Sequence, residues 1–275
     1  MSDVQTAVGS VVALWRYPVK SMMGEEINAA TVTERGLLGD RAYALVDRQT
    51  GKVVSAKNPK KWPGLFDFRA RFAQPPRPEA PLPAVQITLP DGTVLTSDAE
   101  GLEAALSQAL GRQVAFQSAV PENPTLEEYW PDIEQLDHRD ELTDEAMPAG
   151  SFFDGAAVHL LTTATLDELR AAYPNGRFEV RRFRPNIVVR PEAEATGFVE
   201  NAWVGRTLAV GPEVRLRVVK PCPRCVMTTL AQSDLPADTE ILRTAALQNQ
   251  ANVGVYASVI QGGAVRRGDA VRLEP

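Results

Sequence analysis

The two cysteines of this 275-residue chain fall in one stretch, "VVKPCPRCVMTTL" (Val218–Leu230), as Cys222 and Cys225 in C-x-x-C spacing. Two thiols cannot form a disulfide scaffold, and in a reducing compartment a close pair is more often a metal or redox site than a structural bridge. A thioredoxin-type pair needs its first sulfur at a helix N-terminus, where the dipole favours the thiolate. Here the pair leaves an alternating strand (Val214, Leu216, Val218) and enters "VMTTLA", which is β-branched and reads as another strand. Tetrahedral structural zinc needs four ligands, and beyond the cysteines only His138 and His159 remain, without ligand spacing. Beside these two readings, which the pattern disfavours, stand a pair of inert buried thiols and a thiolate that binds a soft metal whose other ligands come from a cofactor. Lys220 and Arg224 would favour a thiolate and could also face an anion, while Pro221 and Pro223 stiffen the turn.

The elements that must position this pair are mostly strands. β-Branched and aromatic runs broken by turn residues cover 9–20, 27–36, 41–56, 66–73 and 84–97. Asp47–Val54 and Leu89–Leu95 predict hairpins, the second through an Asp91-Gly92 turn. Residues 74–83 form a proline-rich loop. Leu102, Leu106 and Leu110, followed by Gly111, predict a short helix. A second helix is expected over 165–172, after a threonine cap and before Pro174-Asn175-Gly176. Strand patterns resume at 156–162, 183–190, 207–211 and 214–220, and again from 252 onward. So many short strands close without exposed edges most readily as β-barrels.

Length allows two domains, and 44% hydrophobic residues support globular packing. No apolar run reaches membrane-helix length, and the first twenty residues lack a signal-peptide pattern, so a cytoplasmic protein without membrane association is expected. The net charge of −6 is unevenly spread: residues 121–150 carry ten acids and one base, leaving 28 bases against 25 acids elsewhere. That distribution argues against nucleic-acid binding and leaves cations for an anionic small molecule. The acidic segment, with its "PENP", is expected to be a connection between domains.

Several stretches in order, "RYPVKS" (Arg16–Ser21), "GLLGDRAYALVD" (Gly36–Asp47), "SAKNPK" (Ser55–Lys60), "HLLTTATLDEL" (His159–Leu169), "RFRPNIVV" (Arg182–Val189), "CPRCVMTT" (Cys222–Thr229), "NVGVYASV" and "GDAVRL", carry a family likeness. Together the chain resembles the MOSC-domain proteins that bind molybdenum cofactor and carry an N-terminal MOSC-associated β domain, with mitochondrial amidoxime-reducing components as similar members. The resemblance implies a mainly β fold with a few short helices (α+β), an N-terminal β domain over 1–120 and a MOSC β-barrel over 130–275. It implies a molybdenum–molybdopterin cofactor, with Cys225 as metal thiolate and catalytic residue and Cys222 off the metal. Cofactor contacts would come from Lys20, Ser21, Arg41, Thr162, Thr163, Arg184, Asn186, Pro223 and Arg224. Arginine forks suit the phosphate, Asn186 would offer an amide to the pterin edge, and Thr162 and Thr163 precede a helix N-terminus. His159 reads as a core histidine, and Asp154 and Asp269 as turn residues.

The implied activity is reduction of an N-hydroxylated small molecule, consuming two electrons and two protons and releasing water. A plant-type iron–sulfur cluster needs four cysteines, so a separate electron-transfer protein is expected as partner. The alternative is a sulfur-transfer or cofactor-carrier protein acting through Cys225, because a fold does not dictate its function.

Overall fold

The computed structural model describes residues 6–274. β1 (Thr6–Arg16) buries Val11 and Leu14 and leads through β2 (Glu25–Ile27) into the ribbon of β3 (Ala29–Thr33) and β4 (Gly36–Leu37). β5 (Ala44–Asp47) is buried at every position. β6 (Arg69–Phe72), β7 (Val85–Thr88) and β8 (Val94–Thr96) form a meander whose second turn is the expected Asp91-Gly92, with Gly92 at φ 88°. α1 (Leu102–Leu110) buries Leu102 and Leu106 and stops at left-handed Gly111, as its leucine spacing predicts. β9 (Val114–Gln117) pairs with β5. The hairpin expected at 47–54 forms as well, with Val46 bridging Val53, Asp47 N–H donating to the Lys52 carbonyl at 2.9 Å and Val54 N–H to the Leu45 carbonyl at 2.8 Å.

The acidic segment is not a bare connection. It folds as a six-residue antiparallel ladder, β10 (Thr125–Trp130) against β11 (Glu141–Ala146). Charge hid this from the pattern, because the carboxylates are matched by lysines far away in sequence: Lys57 to Glu128 at 2.8 Å, Lys61 to Glu127 at 3.0 Å and to Asp47 at 2.9 Å.

The remainder supplies β12 (Val158–Thr162), α2 (Thr163–Ala172), α3 (Val180–Phe183), β13 (Ile187–Pro191), β14 (Thr207–Val210), β15 (Val214–Pro223), α4 (Glu240–Asn249), β16 (Asn252–Gln261), β17 (Gly263–Arg266) and β18 (Ala270–Leu273). Seven strands close a barrel in the order β13-β12-β16-β15-β14-β18-β1, with β1 pairing back onto β13. Only β12–β13 is parallel. Its core combines Val11 and Leu14 with Leu160, Val189, Leu216, Val255 and Val271. A second core gathers Val19, Trp62, Phe68, Ile87 and Leu106 from the N-terminal half.

One expectation fails beside the cysteines. Residues 226–231 do not continue as a strand; Val226–Thr229 is a 3-10 turn, because the Thr228 and Thr229 hydroxyls donate back to the Cys225 and Val226 carbonyls at 3.1 and 2.8 Å. α4, which the sequence reading lacks, packs Ile241 and Ala245 against Leu161, Leu169 and Phe183.

Candidate functional site

β15 carries Cys222, fully buried behind the wall of a cavity of about 640 Å³ between the two cores, and the turn that follows brings Cys225 to line that cavity. Met227 inserts into the N-terminal core and Cys225 packs against it, so the cysteine turn is held by both halves. Lys20, Ser21, Arg41 and Lys57 line the cavity from the N-terminal half, and Arg184, Asn186, Lys220 and Pro223–Cys225 from the barrel. Glu128, Trp130 and Glu145 of the β10–β11 hairpin line it too, with Leu136 from the loop between these strands.

Three of these residues sit in left-handed backbone without being glycine: Ser21 (φ 63°), Arg41 (φ 46°) and Arg184 (φ 52°). Such conformations cost about 1–3 kcal/mol each and persist where surrounding structure imposes them, often at functional sites. The imposing contacts are visible. Arg41 N–H donates to the Tyr17 carbonyl at 2.7 Å, its guanidinium pairs with Asp40, and Asp40 in turn accepts Tyr17 N–H at 2.7 Å and Asn186 Nδ2 at 2.9 Å. Arg184 caps the C-terminus of α3 and donates through Nη1 to the Met22 carbonyl at 2.6 Å. Arg184 and Arg41 both lie over the Tyr17 ring, at 4.2 and 4.5 Å from its centroid. Burial and then the Arg41 charge lower Arg184 to about 10. Like charges concentrated in a buried wall are an arrangement that an anion would relieve. The buried Tyr17 hydroxyl and Arg224 Nε have no hydrogen-bond partner among the described residues.

Asn186 lines the cavity, but its amide is already engaged: Oδ1 accepts His159 N–H at 3.1 Å and Nδ2 serves Asp40 and the Trp15 carbonyl. It therefore acts on the site through Asp40 and Arg41. Thr162 and Thr163 do not line the cavity. Thr162 caps α2, accepting Thr165 N–H at 3.1 Å and donating to buried Glu200 at 2.7 Å; an internal carboxyl takes the place expected for a phosphate. Asp154 is the reverse case. Read as a turn residue, it lines the cavity and pairs with Lys20, whose Nζ also donates to the Phe152 carbonyl at 2.9 Å. Burial favours the neutral acid, but Lys20 and Lys57 hold Asp154 well below the usual carboxylate range. Lys57, Glu128, Trp130 and Tyr256 are further lining residues that the sequence reading did not single out; the "SAKNPK" stretch alone pointed to Lys57. His159 is the core histidine expected, with Nε2 3.0 Å from the Val253 carbonyl, and Asp269 makes its turn by accepting Arg266 N–H at 2.7 Å.

The cysteines differ, but not in the sense local charge suggests. Cys225 lines the cavity, and burial with Glu128 pushes its thiol up to about 12. Cys222 is fully buried, yet Arg224, His159 and Tyr256 outweigh burial and bring it down to about 6. Arg224 thus serves Cys222, its Nη1 lying 2.7 Å from that sulfur.

This fold and cavity coincide with two family matches: a MOSC domain over residues 148–272 and a MOSC N-terminal beta barrel domain over residues 8–119. The chain belongs to the MOSC-domain proteins that carry this N-terminal domain. Among its relatives, mitochondrial amidoxime reducing component 2 of Homo sapiens is 27% identical and that of Rattus norvegicus 24%, each alignment covering 96% of this chain and 83% of the relative. Mitochondrial amidoxime-reducing component 1 of Mus musculus is 24% identical, over 97% of this chain and 82% of its own length. The crystal structure of YUAD protein from Bacillus subtilis aligns over 98% of both chains, with a TM-score of 0.49 and 11% identity. No helix among the described residues is long and apolar enough to cross a membrane.

Proposed function

We propose that the protein is a molybdenum-cofactor-dependent oxidoreductase that reduces N-hydroxylated small molecules with electrons from a separate redox protein. The observation that carries this reading is the convergence of Lys20, Arg41, Arg184 and Arg224 on the one cavity that Cys225 lines, in a chain similar to amidoxime reducing components. The cavity volume lies within the range of small-molecule and cofactor sites. Its crowded guanidinium groups and the unpartnered Nε of Arg224 fit an anionic, hydrogen-bonding group such as a pterin phosphate.

In this reading Lys20, Ser21, Arg41 and Arg184 hold the phosphate and pterin, Pro223 and Arg224 flank them, and Cys225 supplies the protein sulfur to molybdenum. The bound cofactor would supply the two-electron chemistry that takes oxygen from nitrogen. The chain's own part is positional. Cys225 Sγ holds its proton until a metal displaces it, the Asp40–Arg41 pair is braced by Asn186, and the hairpin roofs the cavity with Trp130 and Glu128.

Protein made in a cofactor-competent host is expected to hold molybdenum and pterin in stoichiometric amounts and to turn over N-hydroxylated compounds when given a reducing partner protein. Cys225→Ser should abolish turnover and remove one sulfur from the molybdenum first shell, as read by X-ray absorption. Metal-free protein carrying labile sulfane sulfur on Cys225 would overturn the proposal in favour of a sulfur-transfer or cofactor-carrier protein.

A further inference from the structure

Behind Arg224 in the cavity wall lie Cys222, His159 and Tyr256, three groups that the proposed function leaves unused. Cys222 is fully buried, and its Sγ is 2.7 Å from Arg224 Nη1. Arg224 Nη2 donates to the Phe183 carbonyl at 2.9 Å, and Arg224 N–H to the Ala251 carbonyl at 2.7 Å. Burial opposes the charge of this guanidinium, and the chief groups that restore it are Cys222, Tyr256 and Cys225, none of them a carboxylate. A buried cation needs a counter-charge, and the sulfur of Cys222 is the group placed to provide one.

The rest of the cluster is built around the same sulfur. His159 and Tyr256 join Arg224 in favouring the charged form of Cys222, and their rings meet edge to face at 5.8 Å between centroids. Gly254, at φ 80°, lets this happen: a Cβ there would lie 2.3 Å from the Leu160 carbonyl oxygen and 2.4 Å from His159 Nε2. Arg224, His159 and Tyr256 each line the cavity on their other side.

We infer that Cys222 is a positioning residue whose buried thiolate anchors the Arg224 guanidinium in the cavity wall, so that the two cysteines divide the work: Cys225 toward the cavity, Cys222 behind its cation. The thiol proton passes to solvent, and nothing is oxidised or reduced. This rests on the reading of the cavity as an anion site only for the use made of Arg224; the thiolate itself does not depend on it.

The test uses the cofactor-free full-length chain. In Cys225→Ser only Cys222 remains, and its ultraviolet thiolate absorbance should titrate with a midpoint of about 6, against an ordinary value of 9.0. Adding Arg224→Met should move the midpoint up toward that ordinary value. A midpoint near 9.0 in Cys225→Ser, or one that Arg224→Met leaves in place, would overturn the inference. A second arm reads binding of inorganic phosphate. Cys222→Ser should weaken it about tenfold, as expected for loss of a charged partner, and the anionic Cys222→Asp should restore most of that loss. Wild-type phosphate affinity in Cys222→Ser would also overturn it. If the chain proves free of molybdenum while the titration behaves as stated, the proposed function fails and the positioning role stands.

Discussion

At the scale of single residues, the site is governed by charges held close together out of bulk water, so removing one partner acts mainly through the one left behind. Arg184 is the plainest case, because its guanidinium faces both the cavity and the Met22 carbonyl. Arg184→Ala should lose pterin while remaining folded, by about 1.5–3 kcal/mol, or tenfold or more in affinity; full pterin occupancy at limiting cofactor would remove it from the site. Asp154 gives a dependence on pH. Its folded pKa lies below its ordinary 3.8, so its contribution to stability is complete above that value and is lost as pH falls through the lower, folded one. Asp154→Asn should therefore be less stable than wild type at neutral pH and should lose less on acidification below about pH 4, as followed by urea unfolding at stepped pH.

At the scale of elements, the β10–β11 hairpin is held by lysines as well as by apolar contacts such as Leu126 beside Ala44 and Val53. Lys61 bridges Asp47 and Glu127, Lys52 reaches Glu127 at 3.4 Å and pairs with Asp144, and Lys57 joins Glu128. Its backbone is tied on as well, with Tyr129 N–H donating to the Lys57 carbonyl at 2.8 Å. The loop at the far end inserts Ile133 and Leu136 beside Leu242, Ala246 and Ala251. Lys61→Met should loosen the near end and cost on the order of 1 kcal/mol, the upper end for partly exposed ion pairs. Hydrogen exchange over 121–150 should speed up, and added salt should reproduce part of the effect in wild type but not in the variant. Unchanged exchange there would show that the apolar end and the backbone ties hold the hairpin without the lysine.

For the whole molecule, the decisive feature is that chain order and spatial order differ. β1 is a stave of the barrel, paired with β13 along one edge and β18 along the other, although more than a hundred residues separate it from the next stave, β12. β3 likewise pairs with β17 near the opposite end of the chain. A fragment beginning at residue 130 would expose two strand edges together with the apolar surface that Val11 and Leu14 cover. Expressed alone it should aggregate or fail to unfold cooperatively in urea, whereas the full chain should give a cooperative transition; a soluble, cooperatively folding fragment would show that β1 is dispensable.

The sequence alone determined what short-range chemistry controls. Turn residues and leucine spacing placed the Asp91-Gly92 hairpin and α1, alternation placed β15, and family motifs named Cys225, Lys20, Arg41 and Arg184, all of which line the one cavity. Only the tertiary structure decided what depends on partners distant in the chain. It turned an acidic stretch into a paired hairpin through lysines 52, 57 and 61, and gave the helix start after Thr162 to Glu200 rather than to a ligand. It brought Asp154 to Lys20, 134 residues away, and assigned Arg224 to the neighbouring Cys222 instead of Cys225. The reason is the same each time: a charged side chain near a surface has no pattern of its own, and its role is set by whichever opposite charge the folded backbone places within a few ångströms and shields from water.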